Sequence, residues 1–373
     1  MTKQNNIEAF LELVRAGLWE KETKLSQFGM VDYEEIMRLS EEQSVVGLVT
    51  AGLEHVSDVK VPQKQLLQFI GQTIQLEQAN VELNAFLAEL MSRFQNNNIT
   101  ALLVKGQGIA QCYERPLWRA SGDIDLLLDA ENYENAKVYL LKYASSKEEE
   151  GPYSKHIGFT VGSWVVELHG TMRSELSASI DSVLDNLLKV IFSSTNVRVW
   201  KNSKVDICIP GVEYDALFVF THFLKHFYQG GVGLRQICDW CRLLWKYENI
   251  IDTSVLKQRI CSMGLLTEWC AFGAFAVEYL GMPAETMPLY SSSKKWSQKA
   301  SKILKFILCV GNMGQNRDYS YYSNCPYFIR KLISMYWRVG DLVRHAQIFL
   351  LDSIKFFPTL MFNGISSAIK GIG

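Results

Sequence analysis

The strongest constraint on the fold is a change of pattern in the middle of the chain. Before residue 99 and after residue 210, apolar residues recur at intervals of three and four, which is typical of helices. Between these positions, short apolar runs of strand length alternate with helical segments, which predicts a small mixed sheet with helices packed on it. We therefore expect an α+β fold with an N-terminal helical region at 1–98, an α/β core at 99–210 and a C-terminal helical domain at 211–373.

Individual elements of this core can be placed from the sequence. A long helix is predicted to begin after Pro62 and to end in the asparagine run at 96–98. TALLV and DIDLLL are predicted strands, and HIGFTV and SWVVELH form a predicted hairpin that turns at Gly162–Ser163. VRVW and VDICIP are two later strands, which close the region after another helix.

The overall charge limits the classes of partner. With 38 Lys and Arg against 39 Asp and Glu, the formal net charge is -1, so no global field attracts the chain to nucleic acid. Nucleic-acid binding would have to be local, and a small molecule or a protein fits this balance at least as well. The N-terminus lacks the pattern of a secretory signal, and no apolar run reaches transmembrane length. We expect a cytoplasmic protein with reduced cysteines.

The candidate catalytic feature is the segment SGDIDLLL at 121–128. Side chains at i and i+2 of a strand share a face, so Asp123 and Asp125 are predicted side by side, with Ile124 and Leu126 on the opposite, buried face. Two adjacent carboxylates repel each other unless a cation lies between them, and Mg²⁺ binds such carboxylates together with substrate phosphates. The alternative is a strand start with two solvated acids.

Two neighbouring segments favour the metal-binding interpretation. Upstream, Lys105 and Gly106 stand in a glycine turn where a phosphate could bind, and Gly122 permits close approach of the backbone to a ligand. Downstream, Glu167 lies in a predicted strand and would supply a third carboxylate, with His169 on the same face. A structural role for His169 is left open.

These segments carry a resemblance to a known family. LLVKGQGIAQCYERPLWRASGDIDLLLDAENYENAKVYL, followed by VVELHG, resembles the uncharacterised nucleotidyltransferase family of the DNA polymerase beta-like superfamily, and THFLKHFYQGGVGLRQICDWCRLL resembles its helical segment. The glycine turn stands further upstream of the acids than in the wider superfamily. The positions that match are Lys105, Gly106, Tyr113, Arg119, Gly122, Asp123, Asp125, Glu167, His169, His222, His226, Leu234, Arg235 and Asp239.

The resemblance implies a polymerase beta-like core that transfers a nucleoside monophosphate from a nucleoside triphosphate to a small molecule or protein. It implies two Mg²⁺ (or Mn²⁺) ions, with Asp123, Asp125 and Glu167 as metal ligands and catalytic residues. The implied nucleotide-binding residues are Lys105, Gly106, Arg119, Gly122, His169, His222, Arg235 and Asp239. Two alternatives remain: a toxin-like nucleotidyltransferase acting on RNA, and an inactive nucleotide-binding or scaffold protein.

Several of these residues have plainer interpretations. Arg119 could form a surface ion pair, and Arg235 with Asp239, four residues apart, could be a helix salt bridge. His222 and His226 with Cys238 and Cys241 have spacings that a zinc site could use, although the cysteines fall on a predicted packing stripe. The tail at 339–373 could lie on a membrane surface, but packing as the last helices is favoured.

Overall fold

The structure, a computed structural model, describes residues 3–150, 155–316 and 325–369. Its N-terminal part is helical, as predicted. The long helix begins after Pro62 and ends at Asn96, which confirms both predicted boundaries. The four helices of this part are α1 (Lys3–Trp19), α2 (Tyr33–Glu42), α3 (Val46–Glu54) and α4 (Gln63–Asn96).

The middle of the chain forms the sheet. Its elements are β1 (Leu102–Val104), α5 (Gly106–Ala110), β2 (Ile124–Leu127), α6 (Ala130–Leu140), β3 (Ser146–Lys147), β4 (His156–Val161), β5 (Trp164–His169), α7 (Ala178–Ile191), β6 (Val197–Asn202) and β7 (Val205–Pro210). Five strands form one sheet in the order β1-β2-β5-β4-β3. β2 and β5 are parallel, and the other neighbours are antiparallel. β6 and β7 form a separate two-stranded sheet.

The mixed five-stranded sheet and the many helices confirm the α+β class. The predicted hairpin is also confirmed, because β4 and β5 pair antiparallel around Gly162–Ser163. The polymerase beta-like assignment of the core and the three domain boundaries stay predictions.

Alternation along the strands separates a core face from a polar face. Ile124 and Leu126 of β2, with Val166 and Leu168 of β5, pack under the sheet, as the alternating pattern predicts. This core is completed by apolar side chains of α4 and α6, including Leu87, Phe94, Tyr133 and Leu140. The side chains at alternate positions, among them those of Asp125 and Glu167, therefore point to the other face.

The C-terminal part is helical again and covers that other face. Its helices are α8 (Val212–Gln229), α9 (Leu234–Lys246), α10 (Thr253–Met263), α11 (Leu266–Leu280), α12 (Lys294–Val310), α13 (Tyr327–Ala346) and α14 (Leu350–Ile369). An aromatic cluster joins α8, α9 and α11, with Phe220 of α8 in ring contact with Trp240 and Trp269. These contacts fix α8 and α9 against the rest of the helices.

The predicted tail at 339–373 forms the end of α13 and all of α14, apart from residues 370–373, which lie outside the described residues. The inner side of the tail packs as favoured by the sequence: His345 and Phe349 contact Phe227 of α8, and Phe356 contacts Tyr228. The outer side of α13 is apolar and exposed at Leu332, Tyr336, Val339 and Val343. Among the described helices, none has the length and apolar content needed to cross a membrane. Contact with a membrane surface stays a hypothesis.

Candidate active site

The acids of the site lie on the two central parallel strands. In the register of β2 and β5, Asp125 is opposite Glu167, and Leu127 is opposite His169. Residues opposite each other in paired strands share a face, so Asp125, Glu167 and His169 lie together on the polar face. Asp123 stands in the loop just before β2.

A cleft of about 460 Å³ lies between this polar face and helices α8 and α9. Every candidate site residue predicted from the sequence lines it: Lys105, Gly106, Arg119, Gly122, Asp123, Asp125, Glu167, His169, His222, Arg235 and Asp239. These residues come from positions far apart in the chain. The cleft falls within the size range of small-molecule binding sites.

Asp125 is nearly buried, and a lysine and a histidine contact its carboxylate. The Nζ of Lys105 lies 2.7 Å from its Oδ1, and Nε2 of His169 lies 2.8 Å from the same oxygen. Lys105 adopts a φ of +59° at the turn into α5. This backbone region is unfavourable for a residue with a Cβ, and such strain is concentrated at functional sites.

Glu167 lies between two imidazoles. Its Oε2 is 3.0 Å from Nε2 of His156 and 3.5 Å from Nε2 of His169. Burial alone would raise the pKa of Glu167, but the hydrogen bonds from His156 and His169 outweigh it and lower the pKa well below its usual range. Burial would likewise lower the pKa of His169, and the bonds to Asp125 and Glu167 raise it instead. Glu167 is therefore a carboxylate at neutral pH.

Asp123 is the most accessible of the three acids. Partial burial and then the negative charges of Glu167 and Asp125 raise its pKa above the usual value. The negative charges of Glu167 and Asp125 therefore repel the ionised form of Asp123. A divalent cation near Asp123 would relieve this repulsion, so the donor set fits the ions implied by the sequence.

Arg119 and Asp239 form an ion pair inside the protein. Nε and Nη2 of Arg119 each lie 2.7 Å from an oxygen of Asp239, and the hydroxyl of Tyr113 donates to Asp239 at 2.8 Å. The pair considered for Arg119 is therefore present, but it is buried rather than on the surface. Arg235 does not use Asp239 as its acceptor: its Nη1 donates to the carbonyl of Ala120 at 2.8 Å. Both arginines thus hold the loop before the acids.

His222 and His226 lie on the α8 side of the cleft. Their Nε2 atoms are 3.0 Å apart, and that of His222 is 3.4 Å from Nζ of Lys105. Burial, followed by the charge of Lys105, lowers the pKa of His222 well below its usual value. Burial and then Lys105 also lower the pKa of His226, to about 4. Both rings are therefore neutral near pH 7.

The zinc site considered at these histidines does not form. In the described part of the chain, the one group of three ligand residues whose donor atoms converge is His156, Glu167 and His169. Cys238 and Cys241 are instead fully buried in the helical core, as their packing stripe predicts.

His156 is the site residue that the sequence analysis missed. It begins β4 and is paired with His169 across the hairpin. The signal was available, because a two-residue turn at Gly162–Ser163 fixes the register and counting outward from it places His156 opposite His169.

The model of a family described as "uncharacterised nucleotidyltransferase" matches residues 29–281, which is well over half of the chain. Neither the curated proteins nor the solved structures gave a match. The matched range includes the whole sheet and helices α8 and α9, and therefore every residue of the site described above.

Proposed function

Because the chain belongs to the uncharacterised nucleotidyltransferase family, we propose that it transfers a nucleoside monophosphate from a nucleoside triphosphate to a small molecule or protein. An oxygen of the acceptor bonds to the α-phosphorus, the bond from that phosphorus to the bridging oxygen breaks, and pyrophosphate leaves. One observation carries the proposal. The acidic side chains proposed to bind metal and the basic side chains proposed to bind phosphate line a single cleft.

The three carboxylates are the proposed metal ligands. Asp123, Asp125 and Glu167 would hold Mg²⁺ or Mn²⁺, which would activate the attacking oxygen and neutralise charge on the departing pyrophosphate. Burial and then the negative charges of Glu167 and Asp125 raise the pKa of Asp123, which supports this assignment. Glu167 is kept ionised by its two imidazole partners, so it is available as a ligand at any physiological pH.

Lys105 and Arg235 are the proposed phosphate-binding residues. Lys105 reaches Asp125 from one side of the cleft, so its positive charge lies at the edge of the acidic group. Arg235 uses Nη1 on the carbonyl of Ala120, and its Nε has no hydrogen-bond partner within the described structure. A guanidinium with donors to spare suits phosphate oxygens. Arg119 is engaged by Asp239, so we assign it the positioning of the loop that carries Asp123.

The proposal is tested by incubating the protein with each α-labelled triphosphate, Mg²⁺ or Mn²⁺ and total cell extract. We expect label on a protein or small molecule. The variant Asp123→Asn/Asp125→Asn should abolish the transfer, because neutral amides lack the negative charge that binds the divalent cations. Calorimetry should still show one cooperative unfolding transition, at a lower melting temperature than the wild type because Lys105 loses its counter-charge.

Asp206→Asn is the matched control, because it replaces an aspartate by asparagine at an exposed position of β7, outside the cleft. This variant should transfer label at the wild-type rate. Transfer by the double variant at that rate would remove the acids from the mechanism. Label recovered only on RNA would replace the proposed acceptor class, and the absence of transfer from every triphosphate would overturn the proposed activity.

A further inference from the structure

The hairpin of β4 and β5 presents a second kind of ligand set beside the acids. His156 and His169 are direct partners in the register, and Glu167 lies two residues before His169 on the same face. The two imidazole rings are 4.6 Å apart between centroids. Two histidines and one carboxylate therefore share one edge of the cleft.

The donor atoms are spaced as ligands of one ion. Nε2 of His156 and Nε2 of His169 lie 3.0 Å and 3.5 Å from Oε2 of Glu167. One donor atom from each of the three residues lies within 4.8 Å of the other two. Bonds of about 2.1 Å in a tetrahedral zinc site place neighbouring ligand atoms about 3.4 Å apart. The observed separations lie on both sides of that value.

Two histidines and one glutamate favour a different metal ion from the one that three carboxylates favour. Mg²⁺ prefers carboxylate and water oxygens, whereas imidazole nitrogen favours Zn²⁺ and related first-row ions. We propose that His156, Glu167 and His169 form a binding site for a divalent transition-metal ion of the zinc class. The site deepens the proposed function, and its role there rests on that function, because Glu167 belongs to both ligand sets.

The surroundings permit such an ion to enter and stay. All three residues line the cleft, and the side chain of His156 is 33% exposed, so the site opens to solvent on that side. Nε2 of His169 also lies 2.8 Å from Oδ1 of Asp125, so binding of an ion there requires this nitrogen to release its proton and its hydrogen bond to Asp125. The set of three protein ligands also leaves a coordination position for water or a substrate oxygen.

The test measures metal binding by the full chain without nucleotide. The protein is stripped with a chelator, and Zn²⁺ and Co²⁺ are titrated while bound metal is measured by mass spectrometry. The intensity of the visible absorption of Co²⁺ reports a tetrahedral coordination geometry. We expect one ion per chain and a higher melting temperature with metal. Mg²⁺ at the same concentration should not displace the bound Co²⁺ or change its absorption.

His156→Gln should weaken Zn²⁺ binding by at least about 100-fold, because even loss of an outer-shell partner of a metal ligand costs about 10- to 100-fold. His226→Gln is the matched control, since it removes a histidine of the same cleft outside the cluster. It should bind Zn²⁺ as the wild type does. Glu167→Gln gives a second variant that keeps the shape of the side chain and should also lose the ion.

Two results would overturn the site. One is a stripped protein that takes up neither Zn²⁺ nor Co²⁺, and the other is wild-type uptake by both His156→Gln and Glu167→Gln. Loss of uptake in His226→Gln but not in His156→Gln would move the site to α8 and equally reject the proposal. Since no triphosphate is present, these results are independent of whether the protein transfers nucleotides.

Discussion

The buried ion pair between Arg119 and Asp239 holds the loop that leads to Asp123. Both side chains are almost fully buried, at 4% exposure for Arg119 and 8% for Asp239. The buried guanidinium is tolerated because it donates two short hydrogen bonds to Asp239, whose carboxylate matches its planar shape. Removing one partner leaves the other charge buried without compensation.

Asp239→Asn is therefore expected to lower the free energy of unfolding by about 3–5 kcal/mol, because Arg119 loses its counter-charge. Chemical denaturation measures this change. The matched control is Asp185→Asn, which breaks the exposed ion pair with Arg173 and should cost less than about 1 kcal/mol. Equal losses in the two variants would mean that Asp239 does not compensate a buried charge.

The sequence predicted which residues line the site, but it did not predict all of the contacts between them. The motif and the two-residue period of a strand were enough to bring Asp125 and Glu167 together. The partner of Arg119 could not be predicted, because Asp239 is distant in the chain and its approach depends on how α9 packs on the core. Local spacing offered only Arg235 as a partner for Asp239.

Helices α1 and α3 cross at glycines, which allows their backbones to touch. A Cβ at Gly17 would lie 1.8 Å from the carbonyl oxygen of Leu48, and one at Gly52 would lie 2.1 Å from that of Leu13. Neither distance leaves room for a methyl group, and both obstacles are backbone atoms. The crossing therefore depends on glycine at both positions.

Gly52→Ala should lower the free energy of unfolding by at least about 1–3 kcal/mol, because the helices must move apart. Gly71→Ala is the control: Gly71 lies in α4 with no atom within 4 Å of the added methyl group. There alanine should stabilise the helix by up to about 1 kcal/mol. Thermal unfolding compares the two, and a stabilising Gly52→Ala would contradict the close crossing.

The larger elements were predictable and the smaller ones were not. Periodicity located α4 and each strand that contributes to the site, because long or strongly alternating runs carry their own signal. β3 has only two residues, which is too short for a recognisable alternation of apolar and polar residues. It is a strand because it pairs with β4. The separation of β6 and β7 into their own sheet is likewise a result of tertiary packing.

Glu268 links the stability of the whole helical region to pH. It is fully buried in α11, where the hydroxyl of Tyr228 from α8 donates to it at 3.2 Å. Charged groups from two further helices face it, Asp352 of α14 and Lys299 of α12. Burial, followed by the charge of Asp352, raises the pKa of Glu268 to about 8.

The folded protein therefore holds a proton on Glu268 that the unfolded chain releases near its ordinary pKa of 4.5. Between these two pKa values the free energy of unfolding should fall as the pH rises, by up to about 1.4 kcal/mol per pH unit. This contribution is fully present below the lower value and is lost through the upper one. Urea denaturation over this range measures the slope.

Glu268→Gln should flatten that slope, because the amide does not titrate. Glu285→Gln, at an exposed position just after α11, is the control and should keep it. A slope that persists unchanged in Glu268→Gln would assign the proton to another group. The sequence could not predict this linkage, since Tyr228, Glu268 and Asp352 come together only when α8, α11 and α14 pack.

The loop that carries Asp123 is held from outside the strand-bearing part of the chain. Its anchors include Asp239, which binds Arg119, and Arg235, which binds the carbonyl of Ala120. Both belong to α9. A fragment cut at Pro210 would keep β2 and β5, which place Asp125 and Glu167, but would lose both of these anchors. A transplant of the proposed site into another scaffold must therefore carry α9 with it.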